Sequence, residues 1–121
     1  MKNLISILII LLLNCIVSAQ NTNDIITLQS KAITYYNQGD YSNAIIVYED
    51  LLAAQELEFG KQNIRVAETL NRLGEMYSFT GMPYMSNYYF NEAINIFQDL
   101  FRSRKNDLEL PLLNLLKILL L

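Results

Sequence analysis

The chain contains no histidine, and its only cysteine is Cys15. Without histidine, neither a Ser-His nor a Cys-His nucleophile pair can form, and every histidine-containing metal site is excluded. One cysteine allows no internal disulfide and no thiolate cluster. The groups left that could do chemistry are carboxylates, a basic cluster and tyrosines. Glu56, Glu58, Glu68 and Glu75 are scattered at helical steps, which suits a solvated helix face better than an acid/base pair. Arg102, Arg104 and Lys105 could touch a phosphate, but Asp99 and Asp107 lie close by and a charged helix end is the plainer account. The 8 tyrosines include Tyr35-Tyr36 and Tyr88-Tyr89, and most fall at packing positions. No catalytic residue, cofactor site or metal site is expected.

Length and charge narrow the classes further. The chain has 121 residues, enough for one domain. It carries 9 basic and 12 acidic residues for a net charge of -3, with 52% hydrophobic and 17% charged residues. Such a chain has no long-range attraction to nucleic acid or anionic lipid.

Residues 1–19 read as a secretory signal peptide. Lys2 supplies the positive start, Leu4 to Leu13 is apolar except for Ser6, and Val17-Ser18-Ala19 precedes Gln20 as a small-residue cleavage site. The run is short for a membrane span of about 20 residues. Cleavage after Ala19 is therefore preferred to an uncleaved membrane anchor. A third reading, a lipoprotein acylated at Cys15, fits less well because Asn14 is not a small residue. Cleavage leaves 102 residues without cysteine, 8 of them basic and 12 acidic. A chain with nothing to oxidise is at home in the periplasm or outside the cell. No membrane span is expected in the mature chain.

The rest of the sequence repeats itself. Leu28, Ala32, Tyr35, Gly39, Ala44, Tyr48 and Leu52 each meet a residue of the same size or role 42 positions on: Leu70, Gly74, Tyr77, Gly81, Ser86, Phe90 and Ile94. Each unit reads as two helices joined by a tight turn. Ile25, Leu28, Ala32 and Tyr35 recur on one helical face, Gly39 supplies a left-handed cap, and Asp40 an N-cap for the next helix. That helix carries Tyr41, Ala44, Ile45, Tyr48, Leu51 and Leu52 and stops at Gly60. In the second unit, Asn63 is the N-cap, and Val66, Leu70, Leu73, Gly74 and Tyr77 form the stripe. Gly81 ends it, and Pro83 fits the first turn of the next helix. The stripe there is Ser86, Tyr89, Phe90, Ala93, Ile94 and Phe97, with Arg102 to Lys105 near its C-terminus, where positive charge suits the helix dipole. A third unit starts at Leu110-Pro111-Leu112-Leu113-Asn114-Leu115-Leu116, which echoes Ala67 to Leu73 at an offset of 43. The small residues allow antiparallel helices to approach at the close end of about 8–10 Å.

The string from Ala32 to Ile45, with its small, aromatic, glycine, aromatic and alanine positions, resembles a tetratricopeptide repeat. Most such repeats have a period of about 34 residues. The longer period and the run Val66-Ala67-Glu68-Thr69-Leu70-Asn71-Arg72-Leu73-Gly74 look like the 42-residue kinesin-light-chain-like variant, also met in exported bacterial proteins. The resemblance covers nearly all of residues 20–121. It implies an all-α fold of antiparallel helix hairpins stacked as a short right-handed α-solenoid. Repeat 1 would span about 25–60, repeat 2 about 63–104 and an incomplete repeat 3 about 107–121. Pro83 and Lys117 depart from the family pattern. No charged set matches the clamp some members use for a carboxylate terminus.

The resemblance also implies a function: a non-enzymatic scaffold that binds a peptide or protein segment in a concave groove. The groove positions would be Gln29, Ile33, Tyr36 and Asn37, then Asn71, Glu75, Ser78 and Phe79, then Asn114 and Ile118. Asn71 and Asn114 are the sharpest candidates, because an amide can pair with both backbone groups of an extended peptide. Tyr36 and Phe79 lie off the packing stripe. Two rival readings stand beside this one. The repeats could be the N-terminal sensory part of a larger signalling protein with a kinase or caspase-like module. They could equally be a self-associating structural module. In Leu108–Leu121, ten of fourteen residues are Leu or Ile, a helix apolar nearly all round that expects cover from further repeats, a partner or a second copy.

Overall fold

Glycine turns and side-chain caps cut the sequence into four helices. The computed structural model describes residues 1–120 and places α1 at Lys2–Asn37, α2 at Tyr41–Phe59, α3 at Ile64–Phe79 and α4 at Pro83–Leu119. The expected repeat is visible in the hydrogen bonds of its turns. After α1, Gly39 N–H donates to the Tyr36 carbonyl at 3.0 Å and Asp40 N–H to that of Tyr35 at 3.0 Å. After α3, Gly81 N–H donates to Ser78 at 3.1 Å and Met82 N–H to Tyr77 at 2.8 Å. Both pairs satisfy carbonyls that a helix end leaves open. Gly39 and Gly81 hold φ of 72° and 76°, where a side chain would be strained.

The starts of the helices differ. Asp40 accepts from the Asn43 N–H at 3.2 Å, and Asn63 from the Arg65 N–H at 2.9 Å. Met82, the counterpart of Asp40, has no capping oxygen. Pro83 follows it in the first turn and removes one donor that would need a cap.

Successive helices pack pairwise, α1 on α2, α2 on α3 and α3 on α4, while the α1 and α3 backbones stay apart and meet through side chains, as where Arg72 lies over Tyr36. The arrangement is therefore two layers, α1 and α3 in one, α2 and α4 in the other. Ala32 and Ala44 have no exposed surface and let α1 and α2 close up. Leu51, Leu73, Met76 and Val66 are the largest fully buried side chains. Leu51, Leu73 and Met76 fill the middle of the stack, where α2 meets α3, while Val66 packs with Ala67, Leu70, Ala93 and Ile96 between α3 and α4.

Several stripe assignments need correction. Val47, Gln55, Thr69, Met76 and Ile96 are buried although the periodic reading passed them over. Ile94 and Phe97 were expected in the core, yet are 48% and 39% exposed. The reason is positional: α4 packs only on α3, so the flank carrying these residues meets solvent. The third unit does not form a separate helix. Residues 107–119 continue α4 through Pro111 without a turn. The cluster Arg102 to Lys105 therefore lies mid-helix, away from the dipole end it was expected to complement. It is tied locally, by Arg102 to Asp99 at 3.4 Å and Lys105 to Glu109 at 3.3 Å.

Both outer helices overrun the packed body. The first buried residue of α1 is Ile25, and residues 2–20 are exposed. α1 passes position 19 without a break. In α4, residues 101–120 are exposed beyond half-buried Leu100. Hairpin geometry sends both overhangs past the same end, the one where Gly60 to Asn63 join α2 to α3.

Candidate functional site

The zigzag packing leaves α1 and α3 apart and opens a cleft between them, floored by α2. The cleft has a volume of about 860 Å³. α1 contributes Gln29, Ile33, Tyr36 and Asn37, one helical face by their spacing. α2 contributes Tyr48, Leu51 and Gln55 from its floor-facing side. α3 contributes Arg65, Glu68, Thr69, Asn71, Arg72 and Glu75, and Phe97 of α4 reaches one edge. A smaller cleft of about 420 Å³ lies on the opposite layer, between α2 and α4.

Six of the expected groove residues therefore line one cavity: Gln29, Ile33, Tyr36, Asn37, Asn71 and Glu75. Ser78 and Phe79 do not. They sit at the C-terminal end of α3, where the Phe79 ring lies 4.9 Å from that of Tyr41. Tyr41 in turn meets Tyr36 at 6.0 Å, so Phe79 joins the cleft only through an aromatic chain at its end. Asn114 and Ile118 stand on the exposed overhang of α4, far along the chain from any cleft-lining residue.

The walls are partly preorganised. Arg72 reaches Glu75 at 3.0 Å and lies over the Tyr36 ring at 5.6 Å. The other Glu75 oxygen accepts from the Asn71 amide at 3.4 Å. The bond to Glu75 raises the Arg72 pKa and fixes its charge. Arg65 lies over the Phe59 ring at 5.0 Å. The cleft thus carries two cations and two anions, which cancel. Burial raises the Tyr48 pKa, and nearby Arg72 offsets only part of this, so its hydroxyl stays protonated.

Sequence reasoning missed Gln55 on the floor and Arg65, Thr69 and Arg72 on the α3 wall. Thr69 donates its hydroxyl to Gln55 Oε1 at 2.6 Å across the α2–α3 interface. Gln55 is only 4% exposed and Tyr48 only 5%. The available signal was a glutamine in place of an apolar residue seven positions after Tyr48, on the buried face of α2. The arrangement presents amide, hydroxyl and aromatic surface along one open channel.

Residues 24–99 match the tetratricopeptide repeat family, more than half of the chain. The match starts one residue before Ile25, the first core residue, and ends one before Leu100, the last packed one. No curated protein matches the chain in sequence.

Proposed function

The chain belongs to the tetratricopeptide repeat family, and on that footing we propose that it is an interaction protein which binds an extended peptide segment in the cleft between α1 and α3. Repeats of this family generally mediate protein–protein interaction and are typically non-enzymatic. The observation that carries the proposal is the convergence of Gln29, Ile33, Tyr36, Asn37, Asn71 and Glu75 on one preformed cavity. Recognition would rest on shape and on backbone hydrogen bonds from the amides. The 42-residue period supports the kinesin-light-chain-like variant of the repeat.

The test uses peptides selected from a displayed random library against the full chain in mild detergent. Ile33→Arg fills the cleft from an exposed wall position, and Asn71→Ala removes one amide. Selected peptides should lose at least tenfold in affinity with Ile33→Arg. Indifference to both changes would place binding elsewhere.

For location, we propose export, with residues 1–19 acting as a signal peptide or, uncleaved, as an anchor. α1 is long and apolar enough to cross a membrane, and the apolar part is not buried in the fold. N-terminal sequencing of the mature protein decides: Gln20 as first residue supports cleavage, and Met1 supports the anchor. A second functional reading, self-association, draws on the exposed leucines of the α4 overhang, from Leu108 to Leu120.

A further inference from the structure

We infer that the floor of the cleft, and not only its walls, recognises the ligand: Gln55 Nε2 and Tyr48 Oη donate hydrogen bonds to two carbonyl oxygens of an uncharged, extended peptide. This rests on the cleft being a peptide site, and it names the chemistry of the peptide. Both side chains are more than nine-tenths buried. The single hydrogen bond of the Gln55 side chain uses its oxygen, with Thr69 as donor, and leaves the –NH2 group without an acceptor among the described residues. In this orientation the half left over is the donor. The Tyr48 hydroxyl has no partner among them either. Yet no polar side-chain atom among the described residues is both sealed from solvent and unpartnered. Both atoms therefore keep some solvent access, in two residues that line the cavity. Two polar atoms in near-buried side chains that line one channel present unused hydrogen-bonding capacity that a ligand can take up.

Spacing and charge define that ligand. Tyr48 and Gln55 are seven residues apart on one face of α2, about 10 Å along the axis. An extended peptide lying along this face covers that rise in roughly three residues. The lining charges, Arg65 and Arg72 against Glu68 and Glu75, sum to zero, and Arg72 is already held by Glu75. The cleft has no excess charge with which to select an acidic or basic segment. Neutral carbonyl acceptors are what its floor is built to receive.

The experiment takes peptides that the Ile33→Arg change displaces and measures their affinity for the full chain carrying Tyr48→Phe or Gln55→Met. Tyr48→Phe removes an atom with no internal partner, so the thermal midpoint should hold while affinity falls roughly three- to tenfold. Gln55→Met should weaken binding similarly. Replacing backbone amides of the peptide by esters, one at a time, should reveal two separate sensitive positions. One should become insensitive in Tyr48→Phe and the other in Gln55→Met. Affinity should change less than about twofold between roughly 50 and 500 mM salt. If Ile33→Arg abolishes binding but both floor variants bind as the parent does, the peptide site stands and the floor merely holds water. A steep salt dependence would overturn the neutral-ligand assignment. A library that yields no peptide sensitive to Ile33→Arg sinks the floor and the site together.

Discussion

Ser86 on α4 donates its hydroxyl proton to the carbonyl oxygen of Gly74 on α3, at 2.8 Å, inside the second hairpin. The bond is possible only because neither residue has bulk to hold the helices apart. Ser86 is 5% exposed, so its hydroxyl could not be buried here without such an acceptor. The first hairpin uses Ala32 and Ala44 at the equivalent positions and needs no bond. The same close approach is thus reached once with two methyl groups and once with a hydrogen bond.

Gly74 is also held small by the ring beside it. A Cβ at this position would lie 2.7 Å from Phe90 Cδ1 and 3.0 Å from Cγ, close to the root of the side chain. Gly74→Ala would gain about 1 kcal/mol of helix propensity. Overpacking costs about 1–3 kcal/mol, so the clash should win and the denaturant midpoint should fall. Adding Phe90→Leu should recover much of the loss, because the two changes share one contact. A Gly74→Ala protein more stable than the parent would contradict this packing.

The sequence carried the hairpins more fully than the site. The seven residue pairs placed Gly39 and Gly81 at their turns, and Asp40 and Asn63 were legible as N-caps from their residue types, because caps and glycine turns are local chemistry. What lay beyond local chemistry was less legible. Ile94 and Phe97 looked like core because they continue the three- and four-residue steps of Ser86, Tyr89, Phe90 and Ala93, but burial depends on which helix comes next in space. The echo of Ala67 to Leu73 suggested a new start, yet α4 continues through Pro111 with no glycine turn before it. In the site, α1 and α3 positions were accessible by analogy between repeats. The α2 floor was not, since Gln55 has Phe97 as its counterpart 42 residues on and so breaks the repeat.

A cross-helix cluster outside the cleft gives the fold a pH response. Tyr77 donates to Glu49 at 2.7 Å, Tyr89 to the same oxygen at 3.4 Å, and the two rings stack at 5.3 Å. Burial first, then the Glu49 carboxylate, raises both phenol pKa values. A raised folded-state pKa means that this stabilisation is complete below the unfolded value of about 10 and is lost as pH rises through the folded value. Chemical denaturation should therefore give a constant midpoint from neutral pH to about 9 and a fall above about 10. Tyr77→Phe should flatten the alkaline fall. An identical alkaline slope in the variant would mean that other groups control it.

Two neighbours on α3 separate groove wall from core. Arg72 makes its ion pair with side chains 50% and 30% exposed, so solvent screens it. Arg72→Met should change unfolding free energy by no more than about 1 kcal/mol. Leu73 is fully buried at the centre of the stack. Leu73→Ala should cost about 2–5 kcal/mol. In so small a fold that loss approaches the total stability, and the far-ultraviolet melt should broaden or vanish. Equal effects at the two positions would argue that α3 is rotated from the orientation described.

The α4 overhang should be separable from the stability of the repeats. Residues 101–120 are exposed, and Pro111 within them cannot donate the backbone bond its neighbours make. A helix that buries nothing gains little from packing, and its leucines present apolar surface to solvent. Truncation after Phe101 should leave the unfolding midpoint of the packed body within about 0.5 kcal/mol of the parent. It should also lower the tendency to aggregate, read as a smaller particle size in light scattering at matched concentration. A large loss of stability on truncation would show that the overhang is covered in solution. The cover would then come from a second copy, and the size of the parent particle should be at least that of a dimer.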